Sequence, residues 1–530
     1  MRRRDFLYST GALASLAWKR GALGAFSLSG STGNRAAGKM IGMYVHQHWP
    51  YKHPYAARTW TVEDYRGYAD GLTKLGYNMM MIWPLIETMP QPLTPSDREN
   101  LEKIGKVIDV LHREFKMQAY IALCPNVGAK NEEASKYEFQ KRHFFYCDMR
   151  VNPGDPVALA QMIRWREELF RPLAQMDGLL IADSDPGGYP GSNNAEFANL
   201  IGEHRKMMDR LRPGIELLYF MHVGWDAYCR LYQTGDAGDH GWGTPEEADD
   251  VLKRLKKLDL HPWSITTHTS GEAPNGTTLK FAEKFGMAAT AVSFNYGAIE
   301  YEPSFPMTNF GGDAAFRAGE TGAPGGTIAN GQTHCVQLPN TFAFARGATG
   351  KTQPTEADYV QFADDLIPGQ GQLIVQGWQG LVGADTGRMR AVAAKLESLP
   401  AEKLAAGRLR GLLFGDSQRF ISDLAMELRV KAAYGDFIAA SRSGSEVRRP
   451  FGEFVTAAEA WQARHGYECA WRWPDLKEEL AKLKSPVIQS VIDEKGEGAT
   501  PYDRVADRLR KMETYTPRLI AAMKTKVKTA

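Results

Sequence analysis

The 530-residue chain is long enough for one large barrel with additions or for two to three domains. Hydrophobic residues make up 43% and charged residues 24%, the balance of a soluble globular protein. A formal net charge of +2 gives no electrostatic basis for binding nucleic acid or an acidic membrane surface.

The chain opens with Arg3-Arg4-Asp5-Phe6-Leu7, which fits the R-R-x-F-L core of a twin-arginine export signal. The modestly apolar stretch from Phe6 to Trp18 is too short to span a bilayer. Residues 1–37 are therefore expected to be a signal peptide and linker, and the mature protein to be periplasmic or secreted, with no membrane contact after signal removal. The alternative is a plain basic tail.

From residue 38, apolar strands alternate with amphipathic helices. Met40 to Val45 reads as a first strand. Thr61 caps a helix to Leu75, with Asp64 completing a capping box and Gly76 ending it. Asn78 to Trp83 is the second strand. Ser96 is expected to cap a helix from Asp97 to Phe115, whose Leu101, Ile104, Ile108 and Leu111 recur at helical spacing. Gln118 to Leu123 is the third strand. After a long excursion, a helix spans about Asp155 to Ala174, and Gly178 to Ala182 is strand four.

A helix from Ala195 to Leu211 leads to strand five, Ile215 to Met221. Thr244-Pro245-Glu246-Glu247 opens another helix with Pro at its first position. Trp263 to Thr267, Ala288 to Phe294 and Thr327 to Asn330 are strands six, seven and eight. Eight such units predict an α/β fold, a (β/α)8 TIM barrel over residues 38–355. A doubly wound open sheet is the alternative, weakened because no G-x-G-x-x-G follows the first strand. Residues 356–530 read as a mostly helical C-terminal region, with helices at Ala391–Leu399, Phe420–Ala439 and Leu476–Lys484 and a loop at Ser441–Ser445.

In a barrel, the residues just after each strand converge on one face. Here that rim collects His46, His48 and Trp49, then Glu87, Asn126, Asp183 and Asp185, His222, Trp225 and Asp226, His268, Asn295 and Tyr296, Glu300 and Glu302, and Asn330. Asp183-Ser184-Asp185 is the sharpest signal. Asp is a poor strand former, and Pro186-Gly187-Gly188 then turns the chain and lets a ligand approach the backbone. On a continuing strand the two acids would point the same way, and close carboxylates push their pKa values apart, leaving one protonated as a general acid. The competing reading is a polar loop with an Asx turn.

Two chemistries fit this rim. In the first, paired carboxylates flank a glycosidic bond and no metal or cofactor is used. In the second, His46, His48, His222 and His268 hold a metal as in barrel amidohydrolases, although Asn330 stands where those enzymes carry an Asp. A non-catalytic carbohydrate-binding barrel is a third reading. The five cysteines are widely spaced with no C-x-x-C, so neither a zinc knuckle nor a thioredoxin motif is supported.

Leu75-Gly76-Tyr77-Asn78 before a strand ending in Trp83-Pro84 resembles the opening of barrel glycoside hydrolases of the β-hexosaminidase-like families 20 and 84. Asn295-Tyr296 resembles the Asn-Tyr after strand seven there. Asn330 to Arg346, leading to Ala357-Asp358-Tyr359, resembles the last strand and following helix. In family 84 an adjacent Asp pair after strand four is catalytic: one orients the substrate's acetamido group and the other is the acid/base. Asp183 and Asp185 occupy a similar place but are separated by Ser184, and family 20 would carry an adjacent Asp-Glu there.

The expected protein is an exported glycoside hydrolase acting on a carbohydrate or glycoconjugate. Asp185 is its general acid. Asp183 tunes that acid or steadies the developing positive charge, and Glu302 or Glu300 is the opposing carboxylate. Asn126, His222, Asn295 and Tyr296 bind hydroxyls; Trp49, Trp83 and Trp225 are sugar platforms; His46, His48, Glu87, Asp226 and His268 complete the substrate contacts.

Overall fold

The computed structural model describes residues 38–47, 52–54, 56–142, 148–184, 186–234, 243–267, 279–295, 310, 313–331, 338–443 and 446–465, together with 521, 524 and 525. The signal-like segment, and Leu476–Lys484, lie outside them. Among the described residues ten strands are present: β1 (Met40–His46), β2 (Met79–Trp83), β3 (Gln118–Leu123), β4 (Val127–Ala129), β5 (Asp148–Arg150), β6 (Gly178–Ala182), β7 (Glu216–Phe220), β8 (Trp263–Thr267), β9 (Val292–Asn295) and β10 (Gly326–Gly331). Eight of them close into a parallel cylinder in the order β1-β2-β3-β6-β7-β8-β9-β10, with β10 returning to β1 through pairs from Met40↔Gly326 to Val45↔Gly331. The (β/α)8 expectation is met. β4 and β5 form a separate antiparallel ribbon within the long excursion after β3.

The strands are short and apolar because both faces are covered, the inner by the barrel core and the outer by helices. Register fixes which side chains face inward. Tyr44 pairs with Met81 and Asn330, Tyr120 with Gly178, Ala182 with Phe220, and Ile328 with Phe294. Gly178 makes room for the Tyr120 ring: a Cβ there would lie 2.2 Å from it. The Tyr120 hydroxyl donates to Glu216 at 2.5 Å.

The first helix, Val62–Leu75, starts from the expected capping box, Thr61 with Asp64, and ends on Gly76 at φ 102°, a conformation that only glycine adopts without strain. The second helix starts earlier than expected. Thr94, not Ser96, is its cap, Pro95 is its first residue, and Asp97 closes the box. It ends at Val110 and widens into a π turn over Leu111–Phe115 rather than continuing as α-helix. Strand seven begins at Val292, four residues later than the apolar run suggested, because 288–290 form a turn.

Beyond the barrel come helices Glu356–Leu366, Gly371–Val382, Thr386–Glu397, Ser417–Ser443 and Arg448–His465. Ser441–Ser443 continue a helix instead of opening a loop; Gly444 and Ser445 lie outside the described residues. This helical run docks on the first barrel unit. Arg410–Leu413 lies on helix Val62–Leu75 with Gly411 against Gly67, and Phe414 packs on Trp60 at 4.6 Å and stacks on Tyr68 at 5.9 Å. The Lys52 amide donates to the His465 carbonyl at 3.0 Å, tying the loop after β1 to the last of these helices. Among the described residues, no helix is long and apolar enough to cross a membrane.

Candidate active site at the carboxyl ends of the barrel strands

Six aromatic rings line the interior of the cylinder toward its carboxyl end. Trp83 (β2) meets His46 (β1) edge-on at 4.8 Å, and His46 meets Tyr44 at 5.0 Å. Tyr44 meets Phe294 (β9) at 5.4 Å, Phe294 stacks on Phe220 (β7) at 4.7 Å, and Phe220 stacks on His222 at 5.5 Å. β1 and β9 are separated by β10, and β7 and β9 by β8, so these contacts bridge non-neighbouring strands from inside the barrel. Trp83 and His46 were expected at the site. Tyr44, Phe220 and Phe294 were missed, although alternation along the strands would have found them once register was known. The Oδ1 of Asn330 and the hydroxyl of Thr266 join this inward set by register; both are buried and meet no hydrogen-bond partner.

The acidic doublet follows β6, but Asp183 does not face this arc. Its carboxylate turns sideways toward the start of the turn after β7 and is fully buried. Oδ1 accepts from Ser184 Oγ at 2.8 Å and from the amides of His222 and Val223 at 3.1 and 3.2 Å. Oδ2 accepts from the Gly224 amide at 3.1 Å and the Tyr219 hydroxyl at 3.2 Å. Burial pushes the carboxyl up to about 6, while the Ser184, His222, Val223 and Tyr219 donors pull the other way. With five donors on its two oxygens, Asp183 anchors the loop, and its buried carboxylate points into the β7 turn rather than toward the arc of rings, against the expectation that it would face the sugar. Asp185 lies outside the described residues, as do Glu300, Glu302, His48, Trp49, His268 and Tyr296 and the side chain of Asn295.

Ser184, His222 and Asp183 are adjacent, with His222 Nδ1 3.2 Å from Ser184 Oγ. The order is not that of a nucleophilic triad. The serine is buried between the other two and donates to the acid rather than to the histidine. Burial lowers the His222 pKa to about 3, which keeps the ring neutral.

The other described rim residues divide by environment. Trp225 is 1% exposed, stacks on Phe197 at 4.8 Å and donates to Ser192 at 3.1 Å; it is a packing residue at the start of helix Trp225–Thr234, not a sugar platform. Asp226 sits on that same helix, its carboxyl raised to about 6 by burial and by the nearby Glu247. Both residues were expected on the rim just after the strand, but β7 gives way to helix after only four residues. Glu87 is buried, accepts from Trp83 Nε1 at 3.1 Å and the Cys124 amide at 2.6 Å, and has its carboxyl raised by burial. Asn126 gives its Nδ2 to the Val151 and Gly188 carbonyls, both at 2.9 Å, and keeps Oδ1 buried without a partner.

Among the described residues, no three His, Cys, Asp or Glu side chains gather as a metal ion would require. Cys124 and Cys229 are buried.

No protein-family description and no curated protein matches the chain. Among solved structures it is similar to an O-GlcNAc hydrolase mutant from Thermobaculum terrenum, at 8% identity over 93% of this chain and 96% of that one, with a TM-score of 0.43. It is also similar to a glycoside hydrolase family 20 β-N-acetylglucosaminidase (11% identity, 59% and 69% covered, TM-score 0.36). A Streptomyces plicatus β-hexosaminidase mutant in complex with GlcNAc is comparable (10%, 62% and 67%, TM-score 0.36). These are distant likenesses of shape; the barrel itself rests on the strand pairing described above.

Proposed function

We propose that this protein is a glycoside hydrolase acting on a carbohydrate or glycoconjugate, exported by the twin-arginine route to the periplasm or beyond. Asp185 is its general acid, and Glu302 or Glu300 its opposing carboxylate. His222, His46, Trp83, Asn295, Tyr296, His48, Trp49 and His268 supply substrate contacts.

The observation that carries this reading is the arc of rings inside the carboxyl end of the barrel, beside the strand that delivers the acidic doublet. Sugar rings present C–H faces that stack on aromatic side chains and hydroxyls that need fixed polar partners. A neutral imidazole at His222 both donates and accepts, which suits hydroxyl recognition better than a cation does. Asp183 takes a different part from the one first expected: it fixes the strand end next to Asp185 rather than sharing a proton with it.

A panel of 4-nitrophenyl glycosides tests the class. The mature protein should release nitrophenol from at least one member. Turnover of none by the folded protein, together with loss of amidase or esterase activity on chelation, would replace this reading with the metal-dependent one. Mass spectrometry of a periplasmic fraction tests export: the amino-terminal residues before about Gly38 should be missing.

A further inference from the structure

We propose that Asn126 is a positioning residue for the loop that carries the acidic doublet, held for that task by the buried residues Glu87 and Arg166. The inference rests on the glycosidase reading for the reaction it serves, though not for the anchor itself.

The backbone just after β3 is gripped from two sides. Glu87 takes the Cys124 amide. Arg166, 2% exposed, donates to the carbonyls of Cys124 and Val127 at 2.8 Å, to that of Pro125, and to His204 Nε2 at 2.6 Å. Burying a guanidinium without a directly bonded carboxylate is costly, and here it is compensated by three carbonyl dipoles on one short loop. Such an arrangement stiffens that loop far more than packing alone would.

Asn126 sits at the centre of the gripped segment and passes its rigidity outward. Its backbone carbonyl accepts from the Val151 amide at 2.8 Å, and its Nδ2 binds the Val151 and Gly188 carbonyls. Because both Nδ2 protons are committed to carbonyls, the amide has one orientation. Gly188 is pressed from its other side: a Cβ there would be 3.0 Å from the Tyr228 backbone and 3.1 Å from the Tyr232 ring, at φ +80°. Asp183 is thus held by the β7 turn and Gly188 by Asn126. Placing a reacting group within a few tenths of an ångström is worth orders of magnitude in rate, so anchors of this kind bear on catalysis without touching substrate.

Asn126→Asp is the sharpest variant: it keeps the shape, removes both donors and faces a carboxylate with two carbonyls. Asn126→Ala and Arg166→Lys are milder companions. Hydrogen exchange read by mass spectrometry should speed up about tenfold or more over residues 186–193, while β1 and β8 peptides keep their rates. Unchanged exchange over 186–193, or an equal increase throughout the barrel, would overturn the anchor. On whichever 4-nitrophenyl glycoside the wild type cleaves, kcat should fall about tenfold or more with KM nearly constant. Faster exchange with unchanged kcat would overturn the positioning role. Should the wild type cleave none, the functional reading fails and the exchange result alone decides whether Asn126 anchors the loop.

Discussion

Asp183 at the end of β6 accepts the amide of Gly224 in the turn after β7, at 3.1 Å, joining two neighbouring barrel loops through one buried carboxylate. The amides of His222 and Val223 depend on the same group. Asp183→Ala would take this acceptor from the His222 and Gly224 amides and the Tyr219 hydroxyl, while the Val223 amide would keep Ser184 Oγ at 3.2 Å. A loss of about 3 kcal/mol or more is expected, read as a lower urea midpoint at constant slope. A loss below about 1 kcal/mol would show that the carboxylate is dispensable to the loop.

His204 gives the fold a dependence on pH. It is buried, donates from Nδ1 to the Leu200 carbonyl at 2.7 Å and accepts at Nε2 from Arg166; burial, reinforced by the Arg166 charge, lowers its pKa to about 3. A depressed folded-state pKa means that its stabilisation is present above the unfolded value near 6.5 and is lost as pH falls toward 3. Asp183, raised to about 6, works in the opposite sense, gaining stability as pH falls through that value, so the whole-protein profile is composite. The difference between wild type and His204→Gln isolates the histidine. The wild type's advantage should shrink by about 2–3 kcal/mol between pH 7 and 4.5, measured by urea unfolding at each pH. A constant difference would mean that His204 does not stay neutral in the fold.

The helical run after the barrel is seated through a glycine pair. A Cβ on Gly411 would lie 1.8 Å from the Gly67 carbonyl oxygen, backbone against backbone with nothing flexible to yield. Gly411→Ala should therefore cost about 1–3 kcal/mol and make the segment around Phe414 more sensitive to limited proteolysis. An unchanged Tm with unchanged digestion would indicate that the two segments are not in contact.

The barrel was legible because its signals are local. Short continuous apolar runs, the Thr61–Asp64 box, Pro245 at a helix start and Gly76 at a helix end each specify an element without reference to the rest of the chain. The site was legible only as a set of strand ends. Which way a residue after a strand turns depends on partners far away in sequence: Asp183 is drawn to amides some forty positions on, and Trp225 is claimed by Phe197 in the helix beneath it. Position also hid the roles of Arg166 and His204, which look like ordinary residues on amphipathic helices until the β3 loop is folded against them. Tyr44, Phe220 and Phe294 lie within buried strands, and their meeting inside the mouth follows from barrel closure alone.

The central claim is that Asp185 protonates the leaving group of a glycoside. The most direct measurement compares Asp185→Asn with the wild type on a 4-nitrophenyl glycoside and on the 2,4-dinitrophenyl glycoside of the same sugar, whose leaving group needs no proton. Loss of a general acid predicts a drop of about 100-fold or more in turnover for the first and a much smaller one for the second. Equal losses on both, or none on either, would contradict the account.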